Sequence, residues 1–296
     1  CTISLFNVDR QIWKGVTKAS LIEYYNKIYS LIIPHIEDRP QSLHIKLSGA
    51  NAPGLYIKDM EQRQPDCAKI FTDRRRHKAE GKRDDIDYLV CNNKATLLWM
   101  VNIGCIDINP WSSRITTPKE PDYIIIDLDP SEDKRTDTGL KILRETALAT
   151  NEYCKKRGFK VFIKTSGKTG MHFLIPCRGI DFQMARSFVE HIAEEIHHLV
   201  PDISTTAMSV SQRQGKVFID PSQNDYADTI AAPYSARPYI LPAVSTPVDA
   251  KELRNIDPHN FTIHNILKRL SKLGDLFEKI NDSKIIEANN KALKKL

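Results

Sequence analysis

The 296-residue chain has no long hydrophobic run. Its longest apolar stretches, such as residues 97–101, are far shorter than the roughly 20 residues that a membrane-spanning helix needs. The sequence also has no signal-peptide pattern, internal repeat or low-complexity segment. We therefore expect an ordinary soluble globular protein with no membrane partner. The chain opens with Cys1 rather than methionine, so we expect further residues before it in the natural protein.

Cysteine is scarce and scattered, with six residues and no C-x-x-C pair. Zinc sites and the disulfide frameworks of small secreted domains both depend on characteristic cysteine spacings, which are missing here. Several of the cysteines lie in apolar runs, which favours buried, free thiols. We predict no disulfide framework, no zinc site and a reducing, cytoplasmic location. The cysteines are Cys1, Cys67, Cys91, Cys105, Cys154 and Cys177.

Positive charge is in moderate excess, with 43 Lys and Arg against 37 Asp and Glu. The densest basic segment is residues 69–83, where Phe71 and His77 lie among seven cations. Cations interleaved with aromatic rings suit phosphate contact and base stacking. We predict DNA contacts by Arg74, Arg75 and Arg76; a solvated hairpin tip is the alternative.

One apolar segment, residues 123–130, ends in two aspartates and is bracketed by prolines. Its β-branched residues predict a buried strand. Asp127 and Asp129 then point to the same face, because side chains alternate along a strand. Two neighbouring carboxylates repel each other unless a cation lies between them, and hard oxygen ligands suit Mg²⁺ or Mn²⁺. An exposed aspartate pair that opens a turn is the alternative.

A second polar stretch, residues 165–172, lies between two short apolar segments and predicts a hairpin turn. Its exposed N–H groups and Lys168 would suit a phosphate. The spacing differs from that of a Walker loop, and the stretch lies between strands rather than before a helix. A polar turn with His172 as an ordinary strand residue is the alternative.

Asp220 ends another apolar strand and would supply the third carboxylate of a two-metal site.

Helical periodicity marks residues 18–33, with Thr17 as N-cap, and continues in later segments. Arg10 and Lys18, near the start of the first helix, suggest an anionic ligand, because a helix N-terminus disfavours cations and offers free N–H groups. A solvated surface position for each is the alternative. The other predicted helices are residues 138–157, 182–199 and a tail from 260 to 280. The short predicted strands are within 43–58, 86–91, 159–164 and 173–176.

Together and in this order, the three motifs resemble the polymerase domain of bacterial and archaeal ligase D, a member of the archaeo-eukaryotic primase superfamily. They are the Asp127-Leu-Asp129 strand end, the stretch from Thr165 to His172, and Asp220 followed by Gln and Asn. The similarity extends over about residues 7–280. Further matching segments are Thr17-Lys18, Tyr24-Tyr25, Arg39-Pro40, Tyr56–Lys58, Asn102–Gly104, Pro110-Trp111, Tyr234–Arg237 and Val244–Pro247.

The resemblance implies an α+β fold, with a primase-like catalytic core of mostly antiparallel sheets flanked by helices. It implies one catalytic domain over residues 1–296. Within it, an N-terminal α/β part (1–115) would contact DNA ends, an RRM-like part (116–255) would carry catalysis, and a helical tail (256–296) would follow.

The resemblance also implies roles for individual residues. Asp127, Asp129 and Asp220 would bind two Mn²⁺ or Mg²⁺ ions and carry catalysis. Arg10 and Lys18 would grip the 5′-phosphate at a DNA break. The incoming nucleoside triphosphate would be held by Ser166, Lys168, His172, Arg213, Gln223, Arg237 and, near its sugar, Asn109.

Three positions depart from the family pattern. Asn109 stands where the family has a histidine, which affects the choice between ribo- and deoxyribonucleotides. Arg10 replaces the usual lysine, which keeps the charge and changes its geometry. Lys168 lies one residue away from the family's lysine.

We therefore predict a metal-dependent nucleotidyltransferase that fills short gaps during non-homologous end joining in the prokaryotic nucleoid. Its partners would be broken DNA with 5′-phosphate ends, nucleoside triphosphates and end-binding repair proteins. A separate ligase would seal the ends, since the sequence has no ligase lysine motif. The alternatives are a primase that needs no primer, and a non-catalytic module that bridges DNA ends.

Overall fold

The computed structural model describes residues 1–76, 83–131 and 136–296, and gives only the backbone of residues 75, 76, 83 and 84. The chain divides into two compact units. Unit 1 comprises Cys1–Thr116 and Thr229–Pro242, and unit 2 comprises Thr117–Asp228 and Ala243–Leu296. None of the helices in the described ranges is both long and apolar enough to span a membrane.

Unit 1 pairs its described strands into two-stranded antiparallel sheets, β1–β2, β3–β4 and β5–β6, beside two helices. In chain order the elements are β1 (Gln11–Trp13), β2 (Val16–Thr17), α1 (Lys18–Ile36), β3 (Leu43–Ile45), β4 (Leu55–Ile57), β5 (Lys69–Arg76), β6 (Arg83–Val90) and α2 (Lys94–Ile103).

Helix α1 follows its hydrophobic periodicity. Leu21, Tyr25 and Ile28 are buried along one face, and Thr17 caps the N-terminus by accepting a hydrogen bond from the Ser20 amide. The helix extends beyond the predicted residue 33 to Ile36, with Pro34 inside its last turn. Proline at this position removes only one helical hydrogen bond. The last turn is still completed by a hydrogen bond from the Glu37 amide to the Ile33 carbonyl.

The basic segment supplies all of β5 and the first residue of β6, with Lys69 paired to Val90 and Arg76 to Arg83. Residues 77–82, which include the predicted stacking residue His77, lie outside the described residues.

One pair of cysteines forms a disulfide that the sequence did not predict. Cys1 and Cys67 form a disulfide with their Cα atoms 5.7 Å apart. The two residues are 66 positions apart in sequence, so spacing alone could not show that the fold brings them together. The other four cysteines are free and buried, as predicted.

Unit 2 is built on a six-stranded sheet in the order β10-β11-β7-β9-β8-β12. All of its neighbouring strands are antiparallel except β10 and β11. The elements are β7 (Tyr123–Pro130), α3 (Asp137–Arg157), β8 (Phe162–Thr165), β9 (Met171–Pro176), α4 (Phe182–Leu199), β10 (Ser204–Thr205), β11 (Val217–Asp220), β12 (Pro247–Val248), α5 (Ile266–Leu273) and α6 (Ser283–Leu293).

The tail differs from its prediction, because only Ile266–Leu273 of the periodic segment is helical, and a further helix, Ser283–Leu293, follows that segment. Helix α5 stops at Gly274, which has a φ of +68°, in the left-handed region that glycine adopts readily. The apolar residues Phe277 and Ile280 are still buried, although they lie in turns between the two helices.

One face of the sheet forms the hydrophobic core of unit 2. Ile124, Ile126 and Leu128 of β7 belong to it, together with alternate residues of β8, β9 and β11. Helices α3 and α4 pack against β7 and β11 and contribute Leu143 and Ile192 to the same core. Burying each such side chain stabilises the fold by about 1.5–3 kcal/mol. The intervening residues of these strands therefore point to the other face.

Candidate active site

Four polar side chains cross the sheet of unit 2 at a single register position, and we call them the polar row. Asp127 on β7 pairs with Asp220 on β11 and with His172 on β9. His172 in turn pairs with Lys164 on β8. Directly opposed residues point to the same face of a sheet. The row therefore lies on the face opposite the hydrophobic core.

Asp129 lies beside the polar row, at the next same-face position of β7. Its side chain is 51% exposed, whereas that of Asp127 is 15% exposed. Asp127 and Asp220 face each other across adjacent strands, so their Cβ atoms are about 5 Å apart. Like charges at such positions are destabilising unless a cation compensates them. The sheet thus brings together the three aspartates that the sequence singled out.

The carboxylates of all three aspartates contact cationic or polar neighbours. His172 Nε2 lies 3.4 Å from Asp127 Oδ1, and Arg213 Nη1 lies 3.7 Å from Asp129 Oδ2. Asp220 Oδ1 accepts a hydrogen bond of 2.7 Å from the Ser222 amide. As the side chains stand, no three His, Cys, Asp or Glu residues of the described ranges are arranged to hold a metal ion.

The predicted hairpin turn is present between β8 and β9, but the amides of Ser166, Lys168 and Gly170 bond within the turn instead of being exposed as expected. Ser166 Oγ accepts hydrogen bonds of 3.1 Å from the amides of Lys168 and Gly170. The Ser166 amide bonds to the Gly170 carbonyl at 2.9 Å. A serine hydroxyl competes for nearby backbone donors in this way. These three N–H groups are therefore already occupied within the turn.

Gly170 packs directly against the strand that carries the aspartates. A Cβ atom built on this glycine would lie 2.3 Å from the Leu128 carbonyl oxygen. Real Cβ contacts are never that short. The turn therefore approaches β7 closely between Asp127 and Asp129, and only glycine leaves room for that approach.

Arg213 reaches the same face from the loop before β11. Its guanidinium lies 3.8 Å from the centre of the Phe218 ring, and Nη2 donates to the Met208 carbonyl at 3.2 Å. Phe218 is opposite Asp129 in the register of β11 and β7. Stacking on an aromatic face orients a guanidinium. Gln223 is half-buried in a short 3₁₀ turn, Ser222–Asn224, directly after Asp220.

Three polar residues of this region received no role from the sequence. Asn224 is buried and bonds through its side chain to both the amide and the carbonyl of Ile125. Lys164 and Ser245 are completely buried and are hydrogen-bonded to each other. The hairpin register could have revealed Lys164, since it lies as far before the turn as His172 lies after it. Asn224 and Ser245 reach this region through contacts with residues distant in sequence, so no local pattern indicates a role for them.

Unit 1 contains the two residues predicted to bind a 5′-phosphate. Lys18 is completely buried, and its Nζ donates to the main-chain and side-chain oxygens of Asn102 at 2.9 and 3.0 Å. The ammonium also lies 4.0 Å from the centre of the half-exposed Phe6 ring. Burial, and then the charge of Arg10, lower the pKa of Lys18. Arg10 donates to the Leu47 carbonyl at 2.6 Å.

Asp107 organises a second polar cluster of unit 1. His44 Nδ1 lies 3.0 Å from Asp107 Oδ1, and Arg237 Nε lies 3.9 Å from Oδ2. Asn109 also bonds to Asp107, and the Tyr56 ring stacks on His44 at 4.3 Å. Burial alone would raise the pKa of Asp107. The hydrogen bond from His44 and the charge of Arg237 outweigh it and hold the pKa below its ordinary value of 3.8.

This lowered pKa predicts a specific response to acid. A carboxyl group whose pKa falls on folding adds stability above its unfolded pKa of 3.8 and loses it as the pH drops through the folded value. Arg237→Met should raise that folded value. The variant should then be less stable than the parent near pH 6 and should lose less stability on acidification, as measured by urea unfolding between about pH 6 and pH 2. Arg254→Met, an exposed change in unit 2, should leave the acid profile unaltered. Parallel profiles for Arg237→Met and the parent would contradict the prediction.

The predicted DNA contacts of β5 are described only in part. Arg74 is exposed and lies opposite Asp85 of β6. Arg75 and Arg76 belong to the same strand, but their side chains lie outside the described structure.

Comparison with known proteins identifies relatives that are longer than this chain. It is 27% identical over 280 residues to the multifunctional non-homologous end joining protein LigD of Mycolicibacterium smegmatis, covering 93% of this chain and 35% of that protein. It is 26% identical over 261 residues to the bifunctional non-homologous end joining protein LigD of Bacillus subtilis, covering 87% of this chain and 40% of that protein. The chain thus spans well under half of these curated relatives.

A solved structure and a family model cover nearly the whole chain. The polymerase domain from Mycobacterium tuberculosis ligase D in complex with DNA is similar, with a TM-score of 0.83 and 24% identity. The similarity covers 95% of this chain and 99% of that one, and it confirms the predicted α+β, primase-like fold. The family model for the LigD primase-polymerase domain matches residues 17–277. The chain therefore belongs to the LigD primase-polymerase domain family.

Proposed function

We propose that the chain is a metal-dependent nucleotidyltransferase that extends a primer 3′-hydroxyl along a template. Its task would be to fill short gaps at double-strand breaks during non-homologous end joining. The observation that carries this proposal is the register that sets Asp127 opposite Asp220, with Asp129 on the same face. Carboxylates that converge from two adjacent strands are the usual support for the divalent ions of such reactions.

The residues suit a pair of Mn²⁺ or Mg²⁺ ions, because all three aspartates offer hard oxygen donors. Asp127 and Asp129 would turn from His172 and Arg213 toward the ions, and Asp220 would complete the set. When bound, the ions would activate the 3′-hydroxyl and stabilise the leaving pyrophosphate. No side chain is then required as general base.

The side chains around the aspartates suit a triphosphate. Arg213 and His172 lie within 4 Å of the aspartate carboxylates and would neutralise charge on the phosphates. Lys168 and Gln223 come from the two turns next to these strands, and Ser166 would act mainly by holding its turn in shape. In unit 1, Arg237 and Asn109 meet at Asp107 and would bind the nucleotide as the family resemblance implies.

Recognition of a DNA end would rest on unit 1. Arg10 and Lys18 would bind the 5′-phosphate, and Arg74, Arg75 and Arg76 would contact the duplex backbone. Because Lys18 is buried under Phe6, phosphate binding would require that ring to move. The relatives named for non-homologous end joining support repair as the setting, with a ligase and end-binding proteins as partners.

Primer extension on a gapped duplex with a recessed 5′-phosphate tests this function. With Mn²⁺ or Mg²⁺ present, we expect templated addition of nucleotides, assayed separately for ribo- and deoxyribonucleotides. Addition should weaken when the 5′-phosphate is absent or in Lys18→Met, whereas Lys14→Met, an exposed change nearby, should retain it. DNA binding without addition under either metal would indicate an end-bridging module. Equal synthesis without any primer would indicate a primase instead.

A further inference from the structure

Lys164 is a fully buried lysine on β8 that the proposed chemistry does not yet use. Lysine is almost never fully buried unless its ammonium is paired, since removing the charge from water is costly. Its place in the polar row, next to His172, directs the ammonium toward the catalytic face of the sheet rather than toward the core.

The partners of this ammonium are well defined. Lys164 Nζ lies 2.5 Å from His172 Nδ1 and 2.9 Å from Ser245 Oγ. Ser245 Oγ donates its own proton to the Thr165 carbonyl at 2.9 Å, so its oxygen accepts from Lys164. Ser245 therefore anchors the lysine beside the histidine.

This contact determines which histidine nitrogen carries the proton. An ammonium has only donors, so His172 Nδ1 must act as the acceptor. In a neutral imidazole the proton then resides on Nε2. Nε2 is the atom 3.4 Å from Asp127 Oδ1. The ring consequently directs a single N–H donor toward the carboxylate end of the row.

We propose that Lys164 is a positioning residue that holds His172 as an Nε2–H donor, ready for an oxygen of the bound triphosphate. The assignment of the His172 proton to Nε2 does not depend on catalysis. Only the claim that this N–H donates to a triphosphate oxygen rests on the proposed function. Without Lys164, the ring would lose the partner that fixes its orientation and its proton. His172 would then bind the nucleotide less well although it is itself unchanged.

The direct test is ¹⁵N NMR of the full chain with labelled histidines. The His172 signals among the nine histidines are assigned by their loss in His172→Gln. In the parent protein we expect Nε2 to be protonated and Nδ1 to give the signal of an unprotonated, hydrogen-bonded acceptor. Lys164→Met should shift that Nδ1 signal. Ser245→Ala, which keeps the lysine, should retain an acceptor signal.

Kinetics provide the second measurement. If the chain polymerises as proposed, Lys164→Met should raise KM for the nucleoside triphosphate roughly tenfold, with a smaller effect on kcat. The matched change Lys160→Met, at an exposed position just before β8, should leave both unchanged. A lysine that only supported the fold would instead lower the unfolding temperature and leave the His172 signals in place.

Two results would overturn the proposal. One is a proton on His172 Nδ1 in the parent protein, a measurement that needs no variant and so does not depend on whether Lys164→Met folds. The other is an unchanged Nδ1 signal in a folded Lys164→Met. If the NMR results are as expected but neither the parent nor any variant adds nucleotides, the proposed function fails and the positioning role of Lys164 stands.

Discussion

Asp127→Asn should reduce nucleotide addition about a thousandfold or more, because one carboxylate that would hold the proposed ions is replaced by a neutral amide. Asparagine has nearly the same shape as aspartate, so the β7–β9 and β7–β11 pairings should persist. Initial rates of primer extension at saturating Mn²⁺ measure the effect. DNA affinity, measured on the same duplex by fluorescence anisotropy, should stay within about twofold of the parent.

Asp202→Asn is the matched control, since it makes the same chemical change at an exposed position of unit 2 outside the polar row. It should extend primers at the parent rate. If Asp127→Asn retained a rate within tenfold of that control, the aspartates could not be the support for the catalytic ions. The proposed two-metal chemistry would then have to be abandoned.

Gly170→Ala should have the second largest effect. The new Cβ would approach the Leu128 carbonyl to 2.3 Å, and that oxygen belongs to the backbone between the two aspartates of β7. Either the turn or the strand must move. We expect a loss of about 3 kcal/mol in the free energy of unfolding. We also expect a large loss of activity in the molecules that remain folded. Urea unfolding and primer extension on the same preparation measure the two effects.

Gly179→Ala separates this clash from ordinary backbone strain. Gly179 has a φ of +71° and open space around the position of a Cβ atom, so alanine there is strained but meets no neighbour. Its cost should be about 1–2 kcal/mol, with activity retained. If Gly170→Ala were no more harmful than Gly179→Ala, the close approach of the turn to β7 would not matter to the site.

Local patterns in the sequence predicted much of the architecture. Helix α4 spans the predicted residues 182–199, and α3 begins one residue before its prediction and ends at the predicted Gly158 cap. Both helices have an apolar stripe and clear capping residues, so local signals suffice. The aspartate strand and the Thr165–His172 hairpin were also predictable, because alternation and turn chemistry are properties of short segments.

Other features depend on contacts distant in sequence. The sheet order sets β11 beside β7, although about 90 residues separate their aspartates, and no local pattern carries that information. The same holds for Ser245 beside Lys164 and for the Cys1–Cys67 disulfide. The amides of the hairpin turn were mispredicted for a different reason. A serine in a turn can either bind a ligand or satisfy its own backbone, and only coordinates distinguish the two outcomes.

The single register position shared by the polar row also limits how this protein can diverge. Side-chain direction along a strand has a period of two, so a one-residue insertion within β8 or β9 would reverse Lys164 or His172 toward the core. Such an insertion should be eliminated by selection. The turn between them is free of that constraint, and its lysine lies one place away from the family's usual position. Residues of the turn other than Gly170 can therefore be exchanged more readily than the lengths of the strands around it can change.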